Sequence, residues 1–122
     1  MKIDTSAFNQ ISADLRAAGT KALPLVAVAT EKAIRDIEAD AKRFAPVDTG
    51  NLRSSIGSQT TVANGSISAE AYATADYAEY VELGTSRMAP HAYMGPAFDR
   101  HAGEWADAVT QAAERAIGGA LG

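Results

Sequence analysis

Asn64-Gly65 is the pair best suited to a two-residue type I′ turn, because both central positions of that turn need a positive φ. Folding the chain about it fixes a register that the flanks must satisfy. Val62 then faces Ile67, Thr60 faces Ala69, Ser58 faces Ala71 and Ile56 faces Ala73 on one side of the ribbon. Thr61 with Ser68, Gln59 with Glu70 and Gly57 with Tyr72 fall on the other. One side is mostly apolar and the other mostly polar, the pattern of an antiparallel pair buried on one face only. The reading predicts a hairpin over residues 52–74, and the rest of the chain must cover its apolar face.

Helices are the expected cover. Val26, Ala33, Ile37, Ala41 and Phe44 form one apolar stripe. Glu31, Lys32, Arg35, Asp36, Glu38, Asp40, Lys42 and Arg43 run between them, mostly on the solvated side. Glu31–Arg35 and Glu38–Lys42 are favourable pairs four apart and Asp36–Asp40 is repulsive, so the apolar face is expected to hold this helix. Thr20 can cap it, Pro24 fits its first turn and Pro46 ends it, which gives residues 20–45. Phe98, Ala102, Trp105, Val109, Ala112 and Ala116 step by four and three, with Pro96 in the first turn and Gly118-Gly119 as the stop. They predict a helix over 96–118 with Trp105 as a core anchor. Phe8, Ile11, Leu15 and Ala18 predict a short helix over 5–18, closed by Gly19.

Residues 76–95 are less determined. Tyr77, Tyr80 and Val81 have helical spacing and Gly84 can close a short turn, while the composition also permits a strand. Thr85 to Gly95 reads as a long loop punctuated by Pro90. The expectation is one α+β domain over residues 1–122. A small antiparallel sheet with a central hairpin packs against a long helix in the N-terminal half and a C-terminal helix.

Charge and composition narrow the chemistry. With 11 basic and 15 acidic residues and no basic run, general binding of nucleic acid through its phosphates is not expected. A mildly acidic surface repels DNA, as a channel wall that must release its cargo should. There are no cysteines, so disulfides and thiolate metal sites are excluded. His91 and His101 lack zinc-ligand spacing, Ser54-Ser55 has no sequence-local base, and there is no glycine-rich phosphate loop. No cofactor, metal or catalytic residue is expected. The longest apolar run, Ala22 to Ala29, is interrupted by Pro24 and too short to span a bilayer, so no membrane partner is expected. The N-terminus lacks the apolar core of a signal peptide, which points to assembly in the cytoplasm. Much of the 47% hydrophobic content is alanine, which buries little area per residue, so subunit contacts are expected to add stability.

Asp48-Thr49-Gly50 is also the active-site signature of aspartic proteases, and a retroviral-type enzyme is a short chain that dimerises to bring two such triplets together. That loop requires an all-β scaffold. Here a charged helix precedes it, Asn51-Leu52-Arg53 follows it and both termini read as helical. Short motifs count only in their structural context. The local reading is a turn in which Asp48 or Thr49 binds backbone groups and Gly50 takes a positive φ.

The longer phrase around the triplet is Pro46-x-Asp48-Thr49-Gly50-x-Leu52-Arg53-x-Ser55-Ile56. It is followed by Tyr77-Ala78-Glu79-Tyr80-Val81-Glu82-Leu83-Gly84-Thr85 and by Met88-Ala89-Pro90-His91-Ala92-Tyr93-Met94-Gly95-Pro96-Ala97-Phe98. This ordered trio resembles the tailed-phage neck and tail-completion proteins that include the gene-product-ten-like tail components, and the resemblance covers residues 30–117. The chain departs from that pattern where His91-Ala92-Tyr93-Met94 replaces a tighter Pro-Phe-Met. The resemblance implies a non-enzymatic virion protein of the head–tail junction, forming a homo-oligomeric, six-fold ring around the DNA channel. Its neighbours would be head-closure, tail-terminator or tail-tube proteins, with DNA passing through unbound. A tail-terminator-like or connector component of a phage-derived particle such as a gene transfer agent is the alternative. Pro46, Asp48, Thr49, Gly50, Leu52, Arg53, Ile56, Tyr77, Tyr80, Val81, Glu82, Gly84 and Thr85 carry the family phrases. Within residues 77–96, Tyr80, Glu82, Arg87, Met88, Tyr93 and Met94 are the expected partner contacts, because aromatic, Met and Arg side chains anchor interfaces. Tyr77, Val81 and Met94 could instead pack on the sheet.

Overall fold

A computed structural model of the protein describes residues 2–5, 9–17, 21–46 and 51–121, with side chains as far as residue 116. The hairpin forms as its turn dictates. Asn64 and Gly65 sit at φ 54° and 77°, and β3 (Ile56–Ala63) pairs with β4 (Ser66–Ala73) in the register expected, Val62 opposite Ile67 through Ile56 opposite Ala73. The strands begin at Ile56. Residues 52–55, expected to open the hairpin, belong instead to the short helix α2 (Asn51–Ser55), where Ser54 and Ser55 hydroxyls donate to carbonyls three residues back.

The N-terminal segment corrects the sequence reading. A helix is expected over 5–18, but β1 (Lys2–Asp4) and β2 (Gln10–Asp14) are strands, and β2 pairs antiparallel with β4. Ile11 and Leu15 are four apart, a spacing that satisfies both a helical turn and two strand repeats. Ala13 decides between them, since Ile11, Ala13 and Leu15 are all buried. The free edge of β4 supplies the ladder partners that β2's backbone needs. Phe8 and Ala18 lie outside the described residues. The result is a four-stranded antiparallel sheet in the order β1-β2-β4-β3.

Helix α1 (Ala22–Phe44) packs on one face of that sheet, against β3 and β4, and helix α4 (Met94–Leu121) packs along α1 and completes the core. Val26, Ala33, Ile37 and Ala41 are buried on the expected stripe, while Phe44 is half-buried. Ala45 turns to extended backbone before Pro46. Ion pairs Glu31–Arg35 and Glu38–Lys42 form as expected, and Lys32 binds Asp36. Asp40 does not sit on the solvated side. It is buried against α4, where His101 lies 2.6 Å from its carboxylate and Arg100 and Arg43 approach within 3.3 and 2.9 Å. Farther along the same antiparallel seam, Trp105 is buried and its Nε1 donates to the Thr30 hydroxyl at 2.8 Å. Helix α4 also departs from its expected bounds of 96–118. It starts at Met94 and runs through Gly118-Gly119, which weaken a helix by about 1 kcal/mol each relative to alanine without obliging it to stop.

Candidate interaction site

The family phrases converge at one end of the molecule, where α1 stops. Arg53, on α2, donates from Nε to the Lys42 carbonyl at 2.9 Å and so satisfies an orphan acceptor of the last turn of α1. Leu52 and Ile56 enter the core from either end of the same stretch, 2% and 4% exposed. Asp48, Thr49 and Gly50 lie outside the described residues. The elements on either side of them are α1 and α2, two helices, which is not the strand-flanked loop that the protease signature requires.

The second phrase folds as α3 (Ala78–Leu83), which settles the helix-or-strand ambiguity in favour of a helix. Glu82, Gly84 and Thr85 of the phrase then have physical roles. Glu82 reaches across to the start of α4, where its carboxylate accepts the backbone N–H groups of Tyr93, Met94 and Gly95 at 3.0, 2.8 and 3.1 Å. Negative charge at a helix N-terminus is favourable both as a hydrogen-bond acceptor and against the helix dipole. Gly84 closes α3 at φ 76°, and a Cβ there would come within 2.8 Å of the Pro90 ring and 2.9 Å of the Met88 carbonyl. Thr85 shapes the loop that follows. Its hydroxyl accepts from the N–H groups of Arg87 and Met88, and its own N–H donates to the Met88 carbonyl. The His91 N–H donates to the Val81 carbonyl and pins the loop back onto α3.

The expected partner contacts therefore divide. Tyr93 and Met94 are buried, and the Tyr93 hydroxyl donates to the Ala78 carbonyl at 3.0 Å. Burial, with the Glu82 charge nearby, raises the Tyr93 hydroxyl to about 12. Glu82 is occupied in capping. Tyr80, Arg87 and Met88 remain on the surface, joined by Leu83, which the sequence reading did not single out. Tyr77 and Val81 pack partly buried against the core and, with Pro46, Leu52, Met88, Ala89 and His91, line a cavity of about 360 Å³ under the loop. The arrangement is an apolar ridge on a braced base. Among the described residues, no group of His, Asp and Glu side chains converges as a metal site, and no helix is long and apolar enough to cross a membrane.

Residues 9–84 match the family described as "Bacteriophage HK97-gp10, putative tail-component". The chain belongs to this family. The match ends at Gly84, so it takes in the first phrase and the second as far as Gly84, and leaves Thr85 and the third phrase, Met88 to Phe98, beyond it. No curated protein and no solved structure matches the chain. Membership in the HK97-gp10 family makes the chain a structural component of a phage tail, hence of a virion, with tail or neck proteins as its neighbours.

Proposed function

We propose that the protein works without catalysis as a ring at the head–tail interface, six-fold and closed around the DNA channel, joining or completing the tail between a head-closure protein and a tail terminator or tube. Residues 77–96 supply its contacts with neighbouring subunits or rings. The observation that carries this reading is the construction of the α3 ridge. Tyr80 and Leu83 are 57% and 62% exposed, yet Glu82 ties the element bearing them to the helix that follows, and Gly84, Thr85 and His91 hold the loop against it. Large apolar side chains held rigidly in solvent lose little conformational freedom on docking, which favours association. The uncovered sheet face adds support. Ser12, Ser66 and Ser68, with Gln59, Thr61 and Glu70, present small polar and acidic groups suited to a wall that DNA slides past.

Light scattering after size exclusion, with negative-stain imaging of the protein alone and with tails, tests the ring directly. Rings with a central opening are expected, and a protein that stays monomeric in both settings overturns the reading. Replacing Arg87 and Met88 together with alanine should leave the fold intact and weaken assembly. Unimpaired rings in that double variant would remove the loop from the interface.

A further inference from the structure

A ring needs two different surfaces on each copy, because a head-to-tail contact joins one patch to another rather than to itself. The ridge on α3 is one such surface, and the exposed apolar side chains identify the other. Among the described residues the large exposed hydrophobics are Tyr80, Leu83 and Met88 at the α3 end, and Leu25, Val28 and Val62. The second three are not near the first. Leu25 and Val28 occupy the first two turns of α1, and Val28 is 71% exposed. Val62 lies beside the hairpin turn, in a groove of about 720 Å³ that it shares with Ala27 and Glu31. Met88, with Val81 of α3, instead lines a cavity with Pro46 and Leu52, beyond the last turn of α1. The 23 residues of α1 therefore separate the two patches by roughly 30 Å along the helix axis.

Charge selects the pairing. Residues 75–83 carry Asp76, Glu79 and Glu82 and no base, while residues 21–28 carry Lys21 and no acid. Asp76, Glu79 and Lys21 make no ion pair among the described residues. Docking α3 against α3 of another copy would bring like charges together, which is unfavourable. Docking α3 against the start of α1 brings opposite charges around an apolar centre.

We propose, resting on the ring reading above, that α3 of one copy docks on the first two turns of α1 and the hairpin tip of the next. Tyr80 and Leu83 meet Leu25 and Val28, and Asp76 and Glu79 face Lys21. The interface is heterologous, so every copy uses both its α3 and the start of its α1.

The chain has no cysteine, which makes cross-linking a clean test. Leu83→Cys and Val28→Cys are made as separate proteins and treated with a short bis-maleimide, each alone and as a mixture. Both positions are exposed, so neither substitution disturbs the core. A covalent dimer that appears in the mixture and is weak or missing in either protein alone supports the heterologous contact. The double variant should give a ladder that ends at the ring size. Leu83→Cys cross-linking to itself as strongly as in the mixture overturns the proposal, because the contact would then be isologous. Rings visible by imaging with no cross-link in the mixture overturn this contact while leaving the ring intact. A wild-type chain that forms no ring removes both. Charge reversal gives an independent readout: Lys21→Glu should raise the concentration needed for half-assembly roughly tenfold, and Glu79→Lys in the same chain should restore it. Equal loss in the single and paired reversals also overturns the contact.

Discussion

The carboxylate of Glu82 accepts three consecutive backbone N–H groups at the head of α4, from Tyr93, Met94 and Gly95. An uncapped helix start leaves those donors to water, and here Tyr93 and Met94 are buried. Glu82→Ala should therefore lower subunit stability by about 1–2 kcal/mol, the usual magnitude for losing an N-terminal cap. Glu82→Gln keeps an acceptor and loses only the charge, so its effect should be smaller. Urea midpoints of the two variants measure the difference, and a midpoint unchanged in Glu82→Ala would show that the cap contributes nothing. The same pair separates capping from contact. A residue that served only a partner would leave the urea midpoint of the subunit alone and alter assembly. The role was not legible locally, because the familiar capping pattern spans three residues and this carboxylate acts across eleven or more.

The seam between α1 and α4 joins two apolar stripes with one buried carboxylate among them. The apolar stripes of both helices were legible from their spacing, Trp105 included. The hairpin was legible down to its register, since turn chemistry and alternation are local. The first strands were not, because Ile11 and Leu15 fit either period and the deciding partner, β4, lies more than fifty residues away. Asp40 escaped for a similar reason. It flanks the apolar stripe on its own helix, and only the approach of Arg100 and His101 from α4 makes a buried position favourable. Burial alone would push its carboxyl up, but the His101 hydrogen bond and the Arg100 and Arg43 charges outweigh it and hold the group below its ordinary 3.8. A lowered carboxyl pKa stabilises the fold above the ordinary value, and that contribution is lost as pH falls through the lowered one. Asp40→Asn should thus be less stable than wild type near neutral pH by about 1–3 kcal/mol, a typical effect of removing one partner from a buried polar contact. The gap should narrow as pH drops from 5 toward 3. Urea midpoints of both proteins across that range check the sign, and a constant gap would show that Asp40 does not titrate in this window.

Across the whole molecule, nearly half of the buried apolar residues described are alanines, among them Ala13, Ala33, Ala41, Ala69, Ala71 and Ala97. Alanine lets α1 approach the sheet and α4 closely, but each one removes little apolar area from water. A chain of 122 residues with such a core has a modest margin of its own, and apolar side chains that other proteins would bury stand at its two ends. Association that buries them must then appear in the stability of the subunit, because a partner that binds only the folded state stabilises it by mass action. The thermal midpoint of the wild-type protein should rise with its concentration, and a concentration a hundredfold above the dissociation constant corresponds to about 2.7 kcal/mol for a single contact. Calorimetry over a hundredfold range of concentration measures this. Tyr80→Ser with Leu83→Ser should flatten the dependence and leave the midpoint at low concentration nearly unchanged, since both side chains lie outside the core. A wild-type midpoint independent of concentration would mean that the alanine-rich core suffices alone, and that the apolar patches on α3 and at the start of α1 contribute nothing to the stability of the folded subunit.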